Sequence, residues 1–60
     1  MKLFSVDEVA KLVGVKPKTV RTWIASRMLA HYKISGRCVR VSEDQLHAFL
    51  RAREVKKEVH

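Results

Sequence analysis

Sixty residues allow one domain, and a chain this short buries too little surface to be strongly stable without a staple. Its single cysteine, Cys38, excludes an internal disulfide, and no apolar run approaches the roughly 20 residues that cross a bilayer. The net charge is +7, and all of that excess falls in residues 16–40, where Lys16, Lys18, Arg21, Arg27, Lys33, Arg37 and Arg40 meet no acid. The flanking segments are each neutral. Charge focused in this way suits a surface that meets a polyanion, whereas a solubility charge would be spread. Asp7 comes too early, after too short an apolar run, for a signal peptide, so the expected place is the cytoplasm.

The first element is a short helix. Ser5 is placed as its N-cap and Glu8 as the third helical residue, the two halves of a capping box. Phe4 and Val9 hold the positions of a hydrophobic staple, and Val6, Val9, Ala10, Leu12 and Val13 supply an apolar face. Gly14 ends the helix where a left-handed residue is needed. Pro17 then opens a second helix, which runs to about Ser26 or Arg27, because its missing N–H costs nothing at the first helical position. Val20, Trp23, Ile24 and Met28 fall on one stripe, expected to be buried. Lys18, Thr19, Arg21, Thr22 and Ala25 occupy the other face. Lys16 lacks the short oxygen-bearing side chain of a good N-cap.

After Leu29 the period changes from helical to alternating. His31–Ile34 and Arg37–Val41 flank Ser35-Gly36, a tight turn between two short strands. The hairpin tip carries Lys33, Ser35, Gly36 and Arg37. A basic hairpin directly after a reading helix is the wing of a winged helix-turn-helix. Ser42 and Gln45 repeat the capping device, Val41 and Leu46 the staple, and Leu46, Phe49 and Leu50 line the face of a third helix. The fold expected is thus mainly α with a small β-hairpin: helix-turn-helix, two-stranded wing, C-terminal helix. The DNA-binding domain spans residues 1–51. Residues 52–60 form a charged tail, either frayed or serving as a docking segment.

These residues resemble the excisionase-type, MerR-like winged helix-turn-helix family. Ser5-Val6-Asp7-Glu8-Val9-Ala10, Leu12-Val13-Gly14-Val15 and Lys18-Thr19-Val20-Arg21-Thr22-Trp23-Ile24 carry the resemblance, followed by Met28-Leu29-Ala30, the basic hairpin and Val41–Leu50. Four elements match in order and spacing over residues 3 to about 51. The resemblance implies a small excisionase that binds and bends double-stranded DNA and directs a phage or mobile-element integrase towards excision. A small phage or bacterial transcription regulator is the alternative it leaves open. Members often carry Gly where Arg27 stands, Ser where Lys16 stands and Pro where Ala30 stands.

The candidate DNA-binding residues are therefore Lys16, Lys18, Thr19, Arg21 and Thr22 on the reading helix, and Arg27, Lys33, Ser35, Gly36, Arg37 and Arg40 on the wing and its flank. Arg21 is the expected base contact, because its fork binds guanine bidentately. The free protein is expected to be a monomer, with neighbouring copies meeting only on DNA. No cofactor is expected. His31, Cys38, His47 and His60 lack the paired spacing of a zinc site. Asp7-Glu8 and Glu43-Asp44 sit where helix first turns favour acids rather than in a catalytic arrangement. Trp23 is read as a core residue. The remaining class, a protein-interaction module for an acidic partner, would show no affinity for duplex DNA at low salt.

Overall fold

In a computed structural model, which describes residues 1–55, the chain forms β1 (Leu3–Phe4), α1 (Val6–Val13), α2 (Pro17–Ala25), β2 (Tyr32–Ser35), β3 (Cys38–Ser42) and α3 (Glu43–Ala52). Three helices and an antiparallel hairpin make a winged helix-turn-helix, as the sequence predicts. Both capping boxes are present. The Glu8 N–H donates to Ser5 Oγ at 3.1 Å and the Ser5 N–H donates to Glu8 Oε1 at 2.9 Å. That backbone bond, and then the Ser5 hydroxyl, hold the Glu8 carboxyl below its ordinary value, with smaller pulls from Arg40 and Lys2. At α3 the Gln45 N–H donates to Ser42 Oγ at 3.0 Å and the Ser42 N–H to Gln45 Oε1 at 2.9 Å.

Both staple pairs, Phe4 with Val9 and Val41 with Leu46, are buried in one core that also takes Ala10, Val20, Leu29 and Phe49. Trp23 packs against this core half-buried, its ring centroid 4.9 Å from that of Phe49. On the outer side of Phe49 the Arg53 guanidinium lies 3.9 Å from the ring centroid, and its Nη1 donates to the Phe49 carbonyl at 3.3 Å. Arg53 thereby closes α3 and shields a core aromatic. Residues 56–60, most of the segment read as a tail, lie outside the described residues.

Four sequence expectations are corrected. The sheet has three strands, not two, in the order β1-β3-β2, because Leu3 and Phe4 pair with Ser42 and Val41. A two-residue strand is too short to leave a periodic signal. Leu29, fully buried, takes the place expected for Met28, which is exposed. The helix stops at Ala25 and the chain reverses, so the helical stripe does not extend that far. Leu12 and Leu50, expected to face inward, are 62% and 41% exposed. In the wing the turn is Gly36-Arg37, since Ser35 still pairs with Cys38. Gly36 has φ +38° at the first central position, where a positive φ suits the twist of a hairpin. The register slips by one residue between Lys33 and Ser35, and Ile34 there is exposed.

Ser42 serves two elements, ending β3 and capping α3 while itself buried. Ser42→Ala is expected to cost about 1–2 kcal/mol, because the Gln45 N–H loses its partner in a place water reaches poorly. A lowered denaturation midpoint at unchanged slope would register this; an unchanged midpoint would show that the cap is replaceable.

Candidate nucleic-acid interface

The turn of the helix-turn-helix is three residues long and rigid for local reasons. Gly14 takes φ +83° and its N–H donates to the Ala10 carbonyl at 2.8 Å, while the Val15 N–H reaches the same carbonyl at 3.0 Å. Lys16 is then extended and Pro17 starts α2. No side chain caps this helix. On its outer face Lys16, Lys18, Arg21 and Thr22 are exposed and Thr19 is half-exposed. The Thr22 hydroxyl donates to the Lys18 carbonyl at 3.1 Å, so what it has left to offer is acceptor capacity.

The end of α2 repeats the end of α1 with a different residue. The Met28 N–H donates to the Trp23 carbonyl at 2.8 Å and the Arg27 N–H to the Ile24 carbonyl at 3.1 Å, closing a left-handed cap. Arg27 holds the left-handed position at φ +61°, the one non-glycine positive φ among the described residues. Glycine is the low-cost residue here, and an L side chain in this region costs about 1–2 kcal/mol. The resemblance's glycine thus has a backbone reason, and this chain keeps the same turn with a charged side chain.

The reversal at Arg27 swings the chain into the wing beside α2. Between them lies an open cleft of about 670 Å³, with Ile24, Leu29 and Val39 among its apolar lining and Arg27, His31 and Lys33 as its cationic or protonatable groups. Lys33, Ser35, Gly36 and Arg37 are exposed along the hairpin. The fold thus brings Arg27, Lys33 and Gly36 to one cleft, with Lys18, Arg21 and Arg37 on elements beside it. Arg40 is not part of the cleft. It is half-buried, its Nη1 donates to the Val39 carbonyl at 2.8 Å, and its charge acts on Glu8 at the start of α1. Sequence reasoning weighed His31 only as a metal ligand or as a packed or surface residue; its place between α2 and the wing was the available signal.

The helix-turn-helix domain family matches residues 3–54. The excisionase of Mycobacterium phage D29 is 36% identical over 47 residues, covering 78% of this chain and 84% of that protein. This chain belongs to the excisionase-type helix-turn-helix family. No solved structure matches it significantly. For a member of this family, the acid-free run of seven basic residues across α2 and the wing fits double-stranded DNA as the ligand. Among the described residues no helix is long and apolar enough to cross a membrane, and no three metal-ligating side chains gather.

Replacing Arg27 by Gly relieves the left-handed strain, offset in part by the greater freedom of an unfolded glycine. Arg27→Gly is expected to gain up to about 1 kcal/mol, raising the melting temperature by about 4–8 °C per kcal/mol in a domain of this size. A lower melting temperature would show that contacts of the Arg27 side chain hold the turn.

Proposed function

We propose that this protein is an excisionase that binds double-stranded DNA through α2 and the wing, bends it, and directs an integrase towards excision. The observation that carries the reading is the acid-free basic surface on α2, the turn after it and the hairpin, in a chain similar to a phage excisionase. Lys18, Thr19, Arg21 and Thr22 lie near the N-terminal end of α2, the part of a reading helix that reaches base edges in the major groove. Arg21 reads a guanine. Lys16, Arg27, Lys33, Ser35, Gly36 and Arg37 meet phosphates or the adjacent minor groove, positioning the domain without reading sequence. Arg40 contributes charge from behind the wing.

A single module of this kind covers about 600–1,000 Å² of DNA-facing surface, which limits its specificity per copy. Copies on neighbouring sites supply the rest. The free protein is a monomer that gathers on DNA, and the deformed duplex is what an integrase recognises. Residues 52–60 are proposed as the docking segment for that integrase or for the next copy.

Arg21→Ala is expected to cost about 1–3 kcal/mol of binding and to relax preference at one base position. Arg37→Ala should weaken specific and mixed-sequence duplexes alike and reduce the salt slope by about one, each neutralised phosphate contributing about −0.9. Titrations of both variants at several salt concentrations check this. An unaltered sequence preference in Arg21→Ala would remove the base contact. No affinity for duplex DNA at low salt would favour an acidic protein partner instead.

The function itself is tested by recombination on DNA carrying the element's attachment sites and its integrase. Added protein should raise excision, suppress integration and slow the permuted duplex in a bending assay. Tight binding with no bend, no change in recombination and repression of a nearby promoter would establish the transcription-regulator reading.

A further inference from the structure

The cleft between α2 and the wing has a role that follows from duplex geometry. The major and minor grooves of one duplex are separated by a single sugar–phosphate strand. A duplex that holds α2 in one groove and the hairpin in the next must therefore pass one strand across the surface between them. That surface is the cleft, and its protonatable groups are Arg27, His31 and Lys33.

His31 differs from its two neighbours in what it can offer. Its Nδ1 lies 2.9 Å from the Leu29 carbonyl, which can only accept, so Nδ1 carries a proton in every state in which that bond is made. Nε2 has no protein partner among the described residues. In the neutral ring Nε2 presents a lone pair, and a phosphate oxygen also presents only lone pairs. In the imidazolium Nε2 becomes a charged donor, the form that makes a short hydrogen bond to phosphate. The charged groups that line the cleft with His31 are Arg27 from the turn after α2 and Lys33 from β2, while α2 contributes Ile24 and Ala25 and β3 contributes Val39. No carboxylate lines the cleft, so the counter-charge arrives with the DNA strand.

We propose that this cleft seats one sugar–phosphate strand of duplex DNA and that protonated His31, through Nε2, is a phosphate ligand there. The proposal rests on the binding of DNA by α2 and the wing and adds to it a proton-linked contact. Histidines exchange their proton between pH 5 and 8, so affinity rises with acidity over that interval.

The test measures affinity for a short mixed-sequence duplex at fixed ionic strength across that range. Wild-type binding should tighten by about five- to tenfold from the alkaline to the acid end. His31→Asn can keep the bond to Leu29 without an Nε2; it should bind with the wild type's alkaline-end affinity throughout. His31→Gln, with a permanent amide donor, should be pH-independent and bind more tightly than His31→Asn. His47→Gln should titrate like the wild type. In the unmutated protein, the ring resonances of His31 should titrate at higher pH with duplex bound than without it, a readout that does not depend on any variant folding. Duplex binding independent of pH, or a His31→Asn variant that keeps the pH dependence, would overturn the cleft contact while leaving DNA binding standing. Absence of duplex binding at every pH would overturn the DNA-binding reading itself.

Discussion

Strand β3 holds the two ends of this domain together. It pairs with β1 on one side and β2 on the other, so one strand of five residues ties the N-terminus to the wing. Val41, fully buried, and the adjoining Ser42, which caps α3, then connect the sheet to the core and the core to the last helix. A two-stranded hairpin is marginal alone in water. Here β1 supplies a third strand, and the buried end of β3 supplies the apolar contact that a free hairpin lacks.

Fixing β3 in this way determines where charge is displayed. The core draws on the inner faces of all three helices and on Val41, leaving the outer face of α2 and most of the wing to solvent. The acid-free segment is the stretch between the two capped helices, and its side chains are held outward by the burial of Val20 and Leu29. Four of the six acids, by contrast, serve the helix starts: Asp7 and Glu8 lie in the first turn of α1, Glu43 and Asp44 in that of α3. There the helix dipole favours them, and they stay out of the basic stretch between α1 and α3.

The two turns that bound α2 show how backbone geometry and charge compete. Both use a left-handed residue to redirect the chain, Gly14 before the helix and Arg27 after it. Glycine meets this demand with the least strain. An arginine meets it at a cost of about 1–2 kcal/mol and places a guanidinium at the mouth of the cleft beside the wing. A domain this small has little stability to spare, so strain held at one position, directly after α2, is a sizeable part of it.

Most of what depends on residues within one helical turn of each other is legible in the sequence. Ser5 with Glu8, Ser42 with Gln45, Gly14 and Pro17 set the starts and stops of the helices, and the segregation of charge marked the surface proposed to meet DNA. The wing was legible from the change of period after Leu29, although its turn lies one residue later than Ser35-Gly36. The rest depends on the folded chain. It paired Leu3 and Phe4 with β3, buried Leu29 in place of Met28, left Leu12 and Leu50 in solvent, bonded Arg40 to the Val39 carbonyl and set His31 in the cleft. The reason is the range of the forces: caps and turns close over three or four residues, whereas strand partners and burial are fixed by contacts between segments at opposite ends of the chain.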